Sequence, residues 1–297
     1  MSTQSKGRGS ASNESIDSKA NPTPIDEKTI KSFAELDVTI NRLIRKGEYG
    51  VIYEGQFGQK FIPNTFRSKF KCDDMQVKAF PKDKCKFAIK YVDIEIRTKL
   101  EVLEVKESVD REVSALMTID HKNIVSLFCA IAMNNKKKWY LFMELSDGNL
   151  QSFMKRWRKS CKKISEHLVK CWVKKLGEAL HYLQNRKITH GYIKSSNILV
   201  FGTKEDQMDV KLADFVFAKI ETKDNVSVEQ TQALEERMEN DVIAISFVFT
   251  DLLAITSFDS STNQKFATDS VHKLLNSCEG PQRELNTFLS TAYLNMK

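Results

Sequence analysis

Long apolar runs are missing from this sequence. The best of them, Val242 to Phe249, is followed at once by Thr250 and Asp251, far short of the roughly 20 residues that span a bilayer. The opening Met1-Ser2-Thr3-Gln4-Ser5-Lys6 has no apolar stretch for a secretory signal, and Ser2 stands where N-myristoylation requires glycine. Cysteine is sparse and scattered, at 72, 85, 129, 161, 171 and 278. That gives neither a zinc spacing nor the density of a disulfide scaffold, so the thiols are expected to be reduced and the protein intracellular: cytoplasmic, with the nucleus as alternative. No internal repeat is present. Proline is scarce too, with five in all and none between Pro81 and Pro281.

What is there is an ordinary globular composition, 41% hydrophobic, enough to bury a substantial core. Lys and Arg outnumber Asp and Glu by 46 to 39, a diffuse excess that favours acidic or phosphate-bearing partners without requiring nucleic acid. Residues 1 to about 32 are rich in Ser, Asn, Lys, Gly and Pro and are expected to be a disordered tail. Strand patterns follow around Val38, Ile40 and Val51 to Tyr53, then at Phe87-Ala88-Ile89 and Tyr140 to Met143. The spacing of Val109, Val113, Leu116 and Met117 predicts a helix over Ser108 to Ile119. Ser165 is placed to cap a long amphipathic helix with Val169, Trp172, Val173, Leu176, Leu180 and Leu183 on one face. Short strands are expected at Ile198 to Val200 and Val210 to Leu212, and an apolar helix from Asp241 to Ile255. Strands first and helices later describe an α+β chain in two lobes.

Two stretches stand out by charge. Gln56 to Lys86 carries eight basic residues with little periodicity and reads as a long basic insertion between strands. Lys155 to Lys163 places six basic residues around Trp157 between two helices. Both read as solvated segments, or as surfaces for an acidic partner or a membrane surface.

Gly47-Glu48-Tyr49-Gly50-Val51-Ile52-Tyr53-Glu54-Gly55 sits between strands, where glycine lets backbone N–H groups approach phosphates closely. Alone it is as well read as a plain hairpin. Lys90 ends a strand and Glu112 lies on the first helix, and each by itself is an ordinary surface charge. His190-Gly191-Tyr192-Ile193-Lys194-Ser195-Ser196-Asn197 follows the long helix, and Asp214-Phe215-Val216 follows the second short strand.

In that order, these features resemble the protein kinase family over roughly residues 38 to 297. His121-Lys122-Asn123-Ile124-Val125 and Met143-Glu144 are similar to its post-helix segment and interlobe hinge. The resemblance implies a bilobal fold with a small β-rich N-lobe over about 33–143, interrupted by the insertion at about 56–86. A mainly helical, somewhat abbreviated C-lobe would occupy about 144–297. It further implies that Gly47, Gly50, Lys90, Glu112, Met143 and Glu144 bind nucleotide, with Met143 as gatekeeper, and that Asn197 and Asp214 hold Mg²⁺. Lys194 is similar to the lysine typical of serine/threonine kinases.

The departures fall on the chemistry. The family's general base is an aspartate two residues before the catalytic-loop lysine, and that position is Tyr192. A phenol with an ordinary pKa near 10 is almost wholly protonated at neutral pH, whereas an aspartate at about 3.9 is ionised. Gly191 replaces the arginine that in many relatives receives a phosphorylated activation loop, leaving nothing there to read such a charge on Thr222, Ser227 or Thr231. Val216 replaces a glycine and Arg45 another. The proline gap excludes an intact Ala-Pro-Glu segment, of which Ala233-Leu234-Glu235 reads as a remnant. The expectation is a catalytically inactive pseudokinase, a regulatory or scaffolding module that binds ATP and Mg²⁺ weakly and acts on protein partners, an active kinase among them. Two alternatives are a slow serine/threonine kinase with an unconventional base, and an interaction protein that binds acidic partners through its basic segments.

Overall fold

In the computed structural model, which describes residues 24–63, 66, 72–80, 86–95, 99–204, 207–221, 228–276 and 281–295, period-two sequence becomes one sheet and period-3.6 sequence the helices below it. The sheet contains β1 (Val38–Lys46), β2 (Val51–Phe57), β3 (Asp74–Val77), β4 (Lys86–Asp93), β5 (Leu127–Met133) and β6 (Lys138–Glu144). Their order is β1-β2-β4-β6-β5-β3, with every neighbouring pair antiparallel.

Strand β4 explains how the sheet is used. Successive side chains point to opposite faces, so Phe87, Ile89 and Tyr91 enter an aromatic cluster on one side while Val92 joins the main core on the other. Ala88 and Lys90 share the second face with Val92. Against that face packs the helix Lys99–Thr118, through Val105, Val109, Val113 and Leu116. We call it α2, and α1 is the shorter helix Glu27–Glu35.

Helix α1 corrects the expected tail. Asp26 caps it, its Oδ1 accepting from the Thr29 amide at 2.9 Å, and Ile25, Thr29 and Phe33 are buried. Phe33 makes edge contacts with Tyr140 and Phe142, ring centroids 5.5 and 5.6 Å apart. The burial of one large aromatic side chain anchors a polar segment that composition alone assigns to disorder. Residues 1–23 of that expected tail lie outside the described residues.

The basic insertion is likewise more than a solvated loop where it is described. Phe57 stacks on Phe61 and lies against Phe87 at centroid distances of 4.3 and 4.4 Å, and Phe66 and Phe80 close the cluster. β3 adds an edge strand to β5. Lys78 reaches past it to donate to the carbonyls of Leu116 and Ile119 at the end of α2, where the helix dipole favours a cation.

The C-lobe is built on α4 (Glu166–Asn185), whose predicted cap Ser165 accepts from the Leu168 amide at 3.3 Å. Val169, Trp172, Val173, Leu176, Leu180 and Leu183 are all buried. Before it runs α3 (Leu150–Lys159), and after it α5 (Val228–Leu253), α6 (Ser261–Leu275), α7 (Pro281–Leu289) and α8 (Ala292–Asn295). Short strands line the lobe boundary: β7 (Gly148–Asn149), β10 (Ile198–Phe201) and β11 (Asp209–Leu212) form a three-stranded sheet. Three further short strands are β8 (Ile164–Ser165), β9 (Ile188–Thr189) and β13 (Thr256–Ser257), and β12 (Lys219–Ile220) pairs with β9. Among the described residues no helix is long and apolar enough to cross a membrane.

Helix α5 starts well before the expected Asp241. Ala233, Leu234 and Glu235 lie inside it, so the segment read as a remnant of a loop-closing motif is helix, continuous with the apolar stretch that follows. Thr222 and Ser227 lie outside the described residues, and Thr231 is on the exposed part of α5.

Candidate nucleotide-binding cleft and altered catalytic loop

Between the sheet and the helical lobe lies a cavity of about 210 Å³. Gly47, Gly50, Lys90, Glu112, Met143, Glu144, Tyr192, Lys194, Asn197 and Asp214, the residues singled out in the sequence, all line it. Gly50 is there for a geometric reason: a Cβ would stand 2.5 Å from the Tyr91 carbonyl oxygen, so the turn after β1 can lie flat on β4 only without a side chain. The apolar walls come from Ile52, Ala88, Val125 and Leu199, and Ala88 faces Met143 across the β4–β6 ladder. Sequence reading missed these walls, because isolated small and aliphatic residues carry no motif.

At the inner end, the Lys90 ammonium lies 2.6 Å from Glu112 Oε2 and 3.2 Å from Asp214 Oδ1. Burial alone would lower the Lys90 pKa, but the carboxylates of Asp214 and Glu112 override it and hold the ammonium above its ordinary value. Burial similarly works to raise Asp214, and the Lys90 charge overrides it, leaving that carboxyl below the usual range. The helix that presents Glu112 is tied to the segment after Asp214 by Arg111, whose Nε donates to the Val216 carbonyl at 2.7 Å. Val216 is buried.

Glu144 lines the cleft with its carboxylate engaged elsewhere. One oxygen accepts from the Ser126 amide at 3.0 Å and the other pairs with Lys211, so what it offers a ligand is backbone. The neighbouring His121 to Val125 segment stitches the lobes together, the Val125 amide donating to Leu212 O and the Leu212 amide to Asn123 O, each at 2.9 Å.

The catalytic loop is organised by two buried polar groups. Asp241 accepts from the amides of His190 and Gly191 at 2.6 and 2.8 Å. His190 is fully buried against Phe215, centroids 4.5 Å apart, with Nε2 3.1 Å from Ala213 O and Nδ1 accepting from the Tyr192 amide at 3.2 Å. That pattern requires neutral imidazole, and burial pushes its pKa down. Asn197 donates through Nδ2 to Tyr192 O at 3.0 Å, which leaves its amide oxygen as the ligand-type atom.

Tyr192 lines the cleft from this loop. Lys194 Nζ sits 3.6 Å from its ring centroid, and the edge of Phe217 meets it at 4.9 Å. Phe217 in turn meets Tyr49 at 5.9 Å. Tyr49 reaches Glu104 Oε1 at 3.3 Å, and burial together with Glu48 and Glu104 pushes its phenol up to about 12. An aromatic bridge therefore runs from the glycine turn to the catalytic loop. Phe217, two residues beyond the Asp214-Phe215 pair, was open to notice in the sequence as a second aromatic in that motif.

Gly191 is at φ +73°, and its open side is filled rather than empty. Arg237 on α5 donates through Nη2 to Phe217 O at 2.7 Å and through Nε to Thr189 Oγ1 at 3.2 Å. The expectation that no cation stands near this position is corrected: a guanidinium arrives from a distant helix, a placement no local pattern announces.

A bilobal sheet-and-helix chain with this order of glycine turn, strand lysine, helix glutamate, catalytic loop and Asp-Phe pair has the architecture of a phosphotransferase cleft. The sequence profile of the protein kinase domain matches residues 76–244, and the chain belongs to the protein kinase domain family. It is similar to cyclin-dependent kinase 8 of Drosophila melanogaster, 29% identical over 115 residues, 37% of this chain and 25% of that protein. It is also similar to cyclin-dependent kinase 2 of Caenorhabditis elegans, 31% identical over 138 residues, 46% of this chain and 35% of that protein. Mitogen-activated protein kinase kinase kinase 1b of Physcomitrium patens is 34% identical over 134 residues, 45% of this chain and 16% of that protein. The chain thus spans about a third or less of the length of these relatives.

The family uses ATP with Mg²⁺. Among the described residues no group of three or more His, Cys, Asp or Glu side chains is placed to enclose a metal ion. A magnesium ion that takes most of its ligands from phosphate and water needs only one or two protein oxygens, and Asp214 with Asn197 supplies oxygens of that kind. The residues fit the ion.

Proposed function

We propose that this chain is a pseudokinase: a protein-kinase-fold module that binds MgATP weakly, does not transfer phosphate, and regulates protein partners, an active kinase among them. The observation that carries the reading is the placement of Tyr192. Its ring stands at the base position with the Lys194 ammonium 3.6 Å from the centroid and Phe217 against its edge. A phenol is a poor proton acceptor at neutral pH, and the pinned ring fills the approach a substrate hydroxyl needs. In this reading Lys90 holds the nucleotide phosphates, Glu112 orients Lys90, Asn197 and Asp214 hold Mg²⁺, and Met143 backs the base. Magnesium, when bound, neutralises phosphate charge.

Weak binding rests on the same residues. Lys90, Glu112 and Asp214 are assembled, while Arg45 brings bulk and charge to the rim of the cleft where the family has glycine. Cys161 and Cys171 are free thiols, which supports a cytoplasmic or nuclear setting. Two assays on the purified chain test the reading. Millimolar MgATP is expected to raise the melting temperature slightly, by mass action on the folded state. Single-turnover incubation with radiolabelled ATP and a generic basic protein is expected to give no transfer. Robust transfer that disappears in Asp214→Asn would overturn the pseudokinase reading in favour of a slow kinase.

A further inference from the structure

Away from the cleft, α3 and the β10–β11 turn enclose a second groove of about 330 Å³. Its floor is aromatic and aliphatic. Phe153 is buried, Trp157 is half-buried between Phe153 and Trp172 at centroid distances of 5.6 and 6.1 Å, and Met208 completes it. Arg156 and Lys162 line it as well, with Asp147, Ser160 and Thr203 at its polar positions.

The cations around this groove are largely uncompensated. Of Lys155, Arg156, Arg158, Lys159, Lys162 and Lys163, all exposed, only Arg158 has an ion-pair partner among the described residues, Asp251 at 3.8 Å. Arg156 instead lies 4.1 Å over the Phe153 ring, which presents its guanidinium edge to solvent. Favourable interaction with the helix dipole accounts for Arg156, Arg158 and Lys159 in the last turn of α3. It does not account for Lys162 and Lys163, which lie beyond the helix.

We infer that the groove floored by Phe153, Trp157 and Met208 and edged by Arg156 and Lys162 is a docking site for an acidic peptide segment of a partner protein, one that carries an apolar side chain between carboxylates. The apolar side chain fills the groove, and the carboxylates meet Arg156 and Lys162. Concavity decides against a membrane surface, which selects apolar side chains that project; here they form a recessed floor. Asp147 decides against a nucleic acid strand. Its carboxylate, which accepts from the Gly202 amide at 2.7 Å, interrupts the positive lining that an evenly charged phosphate backbone follows. This assignment stands whether or not the cleft transfers phosphate.

The test is fluorescence anisotropy of the full chain with a labelled short peptide in which glutamates flank a central Leu-Phe pair. Saturable binding that weakens with salt is expected. It should fall roughly tenfold or more in Arg156→Glu/Lys162→Glu, because charge reversal turns attraction into repulsion. Replacing Leu-Phe with Ser-Ser should also weaken it roughly tenfold, since the groove then buries no apolar surface. Reversal of Lys28 and Lys31, exposed on α1, should leave it unchanged. Lys162→Glu alone, outside any helix, serves if the double variant fails to fold. Equal binding of the Ser-Ser peptide, or undiminished binding by the reversed groove, would sink the assignment. So would displacement of the peptide by phosphatidylserine vesicles or a single-stranded oligonucleotide at lower concentration than by unlabelled peptide.

Discussion

Arg237 lies over Gly191: a Cβ on that glycine would stand 3.0 Å from Arg237 Nη2 and 2.8 Å from Phe217 O. The catalytic loop and helix α5 have therefore closed on each other through the space a side chain at 191 would take. With φ at +73°, a substituted residue also carries backbone strain of about 1–2 kcal/mol. Gly191→Arg, which restores the residue common in relatives, is expected to lower stability by more than this strain and to bring no phosphate transfer. Chemical denaturation and the radiolabel assay measure both.

Tyr192→Asp should not restore full catalysis. It supplies a proton acceptor, a factor of about 10² to 10⁴, but leaves Arg45, Gly191 and Val216 in place and a helix at Ala233 to Glu235. It also removes the Lys194 cation–π contact, costing about 0.5–1 kcal/mol. Single-turnover rates near those of active kinases in this variant would show that Tyr192 alone stands between the fold and its chemistry.

Lys90→Met should destabilise the protein as well as abolish any MgATP shift. Glu112, 2% exposed, would be left as an unpaired buried charge, a cost of about 3–5 kcal/mol. Lys90→Met/Glu112→Gln should regain part of that stability without regaining nucleotide response. Comparing the melting temperatures of the two variants, with and without MgATP, separates the structural and the binding role.

The legible part of this molecule was its periodicity and its order of motifs. The face of α4 and its Ser165 cap follow from residue spacing, as does the strand that carries Lys90, although β4 runs on to Asp93 instead of ending at Lys90; the catalytic loop before β10 follows from the family resemblance. Phe33 illustrates the other kind: a lone aromatic in a polar segment has no period, and only the Tyr140 and Phe142 rings it meets make α1 worth forming. The phenylalanines of the insertion lie at irregular intervals because they pack as a cluster and not along one face. Arg237 was illegible for a third reason. Its acidic helical neighbourhood reads as solvent-facing, and its destination is set by tertiary approach.

Phe33→Ala is expected to cost about 3–5 kcal/mol, the usual range for a buried phenylalanine. Urea denaturation of this variant checks it. A change within a few tenths of a kcal/mol would show that α1 contributes nothing through this contact.

His190 predicts an acid limb of stability. Burial lowers its folded pKa, against the weaker raising effects of Asp241, Asp214 and the Ala213 carbonyl. As pH falls through the unfolded value near 6.5, the unfolded chain takes up a proton that the folded chain refuses, so stability is full above about 6.5 and declines below it. Burial lowers His121 with the same sign. Asp241, raised by burial, works in the opposite sense at lower pH. Melting temperatures measured from neutral pH down to about 5.5 should fall, and less steeply in His190→Gln than in His121→Gln, because His190 is the more deeply buried.

Lys78 gives the insertion a mechanical meaning. A rigid rod held at one point can pivot, and held at two it can still roll about the line between them. Helix α2 is held at its end by Lys78, along its length by Arg111 on Val216 O, and through Glu112 on Lys90. Three attachments to three separate parts of the chain oppose swing and roll together, so the position of the Lys90–Glu112 pair is tied to the insertion and to the segment after Asp214 as well as to β4.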